Sequence, residues 1–114
     1  MTALEIGKII AAVGTIATGL IALFRPDIAK GFTGLDTTST RGVTEIRAIL
    51  GGGFIGLGLT PFILQEPVVY QALGITYLVI AAVRLISMIV DRSFVQSNTI
   101  SLIVEIVFGI ILVL

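Results

Sequence analysis

Four stretches of this sequence stay apolar for the length of a bilayer crossing, and that repetition restricts the fold more than any other feature. A helix that spans the hydrocarbon needs about 20 mostly apolar residues at ~1.5 Å each. The first such window runs roughly Ala3 to Phe24 and stops at Arg25-Pro26, where proline cannot extend a helix interior. The second runs roughly Val43 to Leu64, with Pro61 near its end. The third runs roughly Pro67 to Val90 and opens on a proline whose missing N–H is harmless at a first helical position. The fourth runs roughly Phe94 to Leu114. The expected fold is therefore all-α: one integral membrane domain, a four-transmembrane-helix bundle.

Composition agrees. The chain is 56% hydrophobic and 12% charged over 114 residues, more apolar surface than a soluble domain of this size can hide. Seven basic and seven acidic residues balance, so there is no basic stripe for a nucleic acid. Cysteine and histidine are absent, which removes disulfides, thiol chemistry and the usual zinc, copper, haem and iron–sulfur ligand sets. No metal and no cofactor is expected. The N-terminal MTALEIGKII carries Glu5 and no basic segment, so a cleaved signal peptide is not expected either.

The connections are unequal. Gln65-Glu66 and Asp91-Arg92-Ser93 are short, whereas Pro26 to Gly42 is long. Ile28, Phe32 and Leu35 recur there at i, i+4, i+7, which fits a short amphipathic helix lying at the membrane interface; the alternative is an irregular loop. Thr37-Thr38-Ser39-Thr40 reads as a polar turn into the second span. Basic residues resist translocation, and Arg25, Lys30, Arg41, Arg47, Arg84 and Arg92 all fall on the side of the first and third loops. Only Lys8 and the terminal amine lie opposite. This bias predicts an inner (cytoplasmic) membrane protein with cytoplasmic first and third loops and both termini outside. Tyr70, Phe24 and Phe94 suit the interfaces, and Glu5 and Lys8 can reach the headgroups from the outer end of the first helix.

Helices in lipid associate where small residues let backbones approach. Gly7, Ala11, Thr15 and Gly19 form one row, and Ala48, Gly52, Gly56 and Thr60 another, so the first two spans are expected to pack along them. The run GGGFIGLG is dense in glycine, but it lies inside an apolar span that a dinucleotide cannot reach.

The informative residues are ionisable groups at depth, where isolated charge is costly and pairing close to obligatory. Glu45 and Arg47 lie near the cytoplasmic end of the second span. Arg84, seven residues before Asp91, lies about 10 Å inside the third, on a face with Gly74, Tyr77, Ala81, Met88 and Asp91. Glu105 is near the middle of the fourth, on a face with Asn98, Ser101, Gly109 and Leu112. Glu45, Arg47, Arg84, Asp91 and Glu105 thus form a candidate ion cluster, in which Glu105 pairs with Arg84 or Arg47. Such a cluster either fixes helix register or serves a proton, an ion, a lipid or a quinone.

The stretch Glu45-Ile46-Arg47-Ala48, then Gly51-Gly52-Gly53, then Arg84, Ser87, Asp91 and Glu105, resembles a bacterial family of small four-helix membrane proteins known as a domain of unknown function (number four-three-four-five). The resemblance covers most of the chain, rests on the Arg-Ala-x-x-Gly-Gly core and the intramembrane Arg and Glu, and implies the four-helix fold but no activity. A weaker similarity to DoxX-type proteins would imply redox-associated membrane partners. No HExxH, GxSxG or P-loop motif is present, so an enzyme is not expected and no catalytic residue is assigned. The expected role is a structural or accessory subunit, partnered by lipid and by copies of itself or a larger membrane complex. The alternative is a lipid- or quinone-binding, or proton- or ion-transporting, module.

Overall fold

The structure, a computed structural model, describes residues 1–35 and 39–114. It contains α1 (Ala3–Phe24), α2 (Pro26–Thr33), α3 (Thr40–Glu45), a π-helical segment π1 (Ile46–Gly52), α4 (Gly53–Leu64), α5 (Pro67–Val90) and α6 (Gln96–Val113). Segments α3, π1 and α4 run on without a break, giving four helices long and apolar enough to cross a membrane: Ala3–Phe24, Thr40–Leu64, Pro67–Val90 and Gln96–Val113. Among the described residues there is no strand. The expected turn residues Thr37 and Thr38 lie outside the described part.

The helix ends have local causes. At the start of α1, Thr2 and Glu5 cap each other: the Glu5 N–H donates to Thr2 Oγ1 at 3.1 Å and the Thr2 N–H to Glu5 Oε2 at 3.2 Å. Segment α3 begins three residues earlier than the apolar pattern alone marks, because the Ser39 hydroxyl accepts from the Gly42 N–H at 2.9 Å. Conversely α6 starts at Gln96 rather than Phe94, since Val95 is extended and its N–H turns back to the Ser93 carbonyl at 2.8 Å. Gln65 ends α4 in the left-handed conformation at φ 54°, donating to the Pro61 carbonyl at 3.1 Å. Pro61 itself cannot donate to the Leu57 carbonyl. The Thr60 hydroxyl does so instead, at 2.7 Å.

The chain divides into two compact units. One comprises Ala12–Gln65. In it the later part of α1 lies close against π1 and α4. A Cβ on Gly19 would stand 2.7 Å from the Gly51 carbonyl oxygen and from the Ile55 nitrogen, and one on Gly58 would stand 2.9 Å from the Ala12 carbonyl oxygen. The contact row on the second long helix is therefore Gly51, Ile55 and Gly58, a correction to the row read from the sequence: Ala48, Gly52 and Gly56 are exposed. The cause is π1. A π-turn brings residues five apart onto one face, and Ile46 and Gly51 are the two residues it buries. Counting in fours through this segment lands on the wrong side.

The segment after Pro26 is a helix, not an irregular loop. Pro26 and Ala29 are its buried residues, and Ala29 packs with Ala22, Ile46 and Leu50. Its apolar stripe points the other way: Ile28, Phe32 and Leu35 are 45%, 37% and 48% exposed. Gly34, at φ 73°, closes α2 through its N–H to the Lys30 carbonyl at 2.8 Å. Exposed Arg25 and Asp27 pair at 2.9 Å, and these hydrogen bonds hold the Asp27 carboxyl below the usual carboxylate range.

The other unit comprises Met1–Ala11 and Glu66–Leu114. Here α5 and α6 form an antiparallel hairpin around Asp91-Arg92-Ser93. Helix α5 buries Leu73, Gly74, Tyr77, Ala81 and Met88, and α6 buries Glu105, Gly109 and Leu112. The two backbones approach each other at paired glycines: a Cβ on Gly74 would lie 2.9 Å from the Gly109 carbonyl oxygen, and one on Gly109 would lie 3.2 Å from that of Gly74. Tyr77 meets Phe108 edge-on, with ring centroids 5.7 Å apart. Gly7 of α1 belongs here too and faces Ile111 of α6 rather than the second long helix. Ala11 is fully buried.

Candidate functional site

The polar centre of the α5–α6 hairpin is built from both helices. Arg84 sits two turns before the end of α5, and its guanidinium reaches across to Glu105, about 13 Å along α6 from Gln96. Nε donates to Oε1 and Oε2, both at 2.9 Å, and Nη2 donates to Oε1 at 2.7 Å. Both carboxylate oxygens are thus satisfied by one guanidinium, a fork geometry available to arginine and not to lysine.

Asn98 completes the set. It lies two turns before Glu105 on the same face of α6, accepts from Arg84 Nη1 at 3.0 Å and donates through Nδ2 to the Ser93 carbonyl at 2.9 Å. One chain of hydrogen bonds therefore runs from Glu105 through Arg84 and Asn98 to the backbone of the turn. Glu105 is 7% exposed, and the Arg84 side chain is 30% exposed. No buried side-chain nitrogen or oxygen among the described residues lacks a partner.

The other residues of the candidate cluster stand differently. Of the two arginines considered for Glu105, Arg84 is the one bonded to it. Glu45 lies 3.8 Å from Arg41, one turn away on its own helix, an exposed pair of small value. Arg47 is exposed in π1. Asp91 lines the same groove as Arg84 without bonding to it. That groove, about 460 Å³, is open on one side and runs from Val79 and Val83 past Arg84 and Ser87 to Asp91 and Ser93. Among the described residues no three carboxylates gather as a metal site would need.

Asn98 was visible in the sequence as part of a polar face, but its bridging role was not. The signal available was its spacing of seven from Glu105, which places it on the same helix face about 10 Å nearer the turn.

The fold and this centre define a class: small all-α proteins with four helices able to cross a membrane and an arginine–glutamate pair joining the last two. Residues 3–114 match the family model described as Domain of unknown function (DUF4345), and the chain belongs to that family. Neither the curated proteins nor the solved structures contain a match to it.

Proposed function

We propose that the protein is a small membrane-embedded subunit that performs no chemistry of its own, and that the Arg84–Glu105–Asn98 chain is a latch setting the register of the α5–α6 hairpin. The observation that carries this reading is the saturation of the Glu105 carboxylate. Both Glu105 oxygens are engaged, Arg84 is held from two sides, and Asn98 ties the pair to the turn. A proton carrier needs a carboxyl free to change partners, and Glu105 has one partner holding both oxygens.

The surroundings support the membrane placement. Large apolar side chains such as Ile86, Val90, Ile103 and Val107 stand exposed along α5 and α6, where lipid or a partner helix would cover them. The outward stripe of α2 suits a helix lying among headgroups. The distribution of arginine and lysine favours the cytoplasmic membrane, with the first and third loops inside and both termini outside. A carboxylate held on both oxygens by one guanidinium favours a role in assembly, with copies of the chain or with a larger membrane complex.

Purified protein in vesicles tests this. Wild type and Glu105→Gln should pass protons no faster than empty vesicles, while Glu105→Gln weakens the assembly recovered in mild detergent. Proton flux through wild type that Glu105→Gln abolishes would overturn the subunit reading in favour of transport.

A further inference from the structure

We propose that the groove beside Arg84 binds a zwitterionic, amine-bearing phospholipid headgroup of the phosphoethanolamine type. The proposal uses the membrane placement above and adds a ligand to it.

The groove has an ordered chemistry along α5. Val79, Ile80 and Val83 wall its deep end, Arg84 and Ser87 follow, and Asp91 stands at the turn. Arg84 to Asp91 is seven residues, about 10 Å along the helix. A guanidinium has five N–H groups. Those on Nε, one on Nη1 and one on Nη2 are engaged by Glu105 and Asn98, which leaves one on each terminal nitrogen. Two adjacent donors suit the oxygens of a phosphate or its ester. At the other end, the exposed Asp91 carboxylate forms no ion pair with a described residue and stands ready to accept from an ammonium.

Charge then selects the ligand. The donors and the acceptor stand at different depths: Arg84 offers its two remaining N–H groups inward and Asp91 its carboxylate at the turn, so a headgroup carrying one charge satisfies only one end. A zwitterion fits when its anionic part lies inward and its cationic part outward, which is the order of phosphate and amine across a bilayer surface. The acyl chains then lie along Val79 and Val83. A primary ammonium can donate hydrogen bonds to Asp91, and a trimethylated one cannot, so the amine-bearing headgroup is preferred over its choline counterpart.

Delipidated full-length protein in detergent, titrated separately with dioleoyl phosphatidylethanolamine, phosphatidylcholine and phosphatidylglycerol and read by native mass spectrometry, tests the assignment. Phosphatidylethanolamine is expected to bind about tenfold more tightly than the other two, the equivalent of ~1.4 kcal/mol. Asp91→Asn should erase the preference over phosphatidylcholine. Ser87→Phe, which fills the groove, should weaken all specific binding, with circular dichroism showing both variants still helical. Equal binding of the three lipids, a preference for phosphatidylglycerol, or a preference that survives both substitutions overturns the proposal. Failure of the membrane placement reads out separately, as protein that does not enter vesicles at all.

Discussion

At the scale of single residues, the Arg84–Glu105 pair decides most. Two charges removed from water regain their solvation only through partners, and here the fork satisfies both Glu105 oxygens while Asn98, tied to the Ser93 carbonyl, holds another side of the guanidinium. Breaking one side is worse than removing both. Glu105→Gln leaves the Arg84 charge half-buried and should cost ~2–3 kcal/mol of hairpin stability, below the ~3–5 kcal/mol of a fully buried pair because Arg84 keeps some exposure. Replacing both partners with apolar residues, Arg84→Met with Glu105→Leu, should recover most of that loss. Thermal unfolding of the two single variants and the double variant in detergent checks it; a double variant as unstable as the sum of the singles would mean the two residues act independently.

At the scale of elements, two irregularities shape the second long helix. The Thr60 hydroxyl occupies the Leu57 carbonyl that Pro61 leaves open. Thr60→Val should therefore lose about 1–2 kcal/mol, and adding Pro61→Ala, which restores the backbone donor, should return it; denaturation of the single and double variants measures both. The π1 segment turns Gly51 and Gly58 toward α1 and Gly52 away. Gly19→Ala drives a methyl group into backbone at 2.7 Å and should cost ~1–3 kcal/mol, whereas Gly52→Ala meets nothing within 4 Å and should be tolerated. Equal effects of the two, in the same unfolding assay, would remove the assigned register. This is also where the sequence stopped being readable. Helix positions follow from apolar length and prolines, and the faces of α5 and α6 follow from spacing, because those helices are regular. The packing face of the second span does not, because a π-turn changes the period without changing the composition. For Glu105, spacing left two arginines in contention; the fork to Arg84 depends on how far a side chain leans, which no spacing records.

At the scale of the molecule, four helices are long and apolar enough to cross a bilayer, and charge placement predicts which side each connection faces. The sequence contains no cysteine, so single cysteines report cleanly on sidedness. Glu66, Thr40 and Phe94 are exposed positions next to different helix ends. The most direct measurement is labelling of Thr40→Cys, Glu66→Cys and Phe94→Cys by a membrane-impermeant maleimide, in intact cells and in inverted membrane vesicles. Cysteine 66 should react only in intact cells, and cysteines 40 and 94 only in inverted vesicles. Reaction of positions 66 and 94 from the same side, or recovery of the unlabelled protein in the soluble fraction, would contradict the four crossings on which the rest depends.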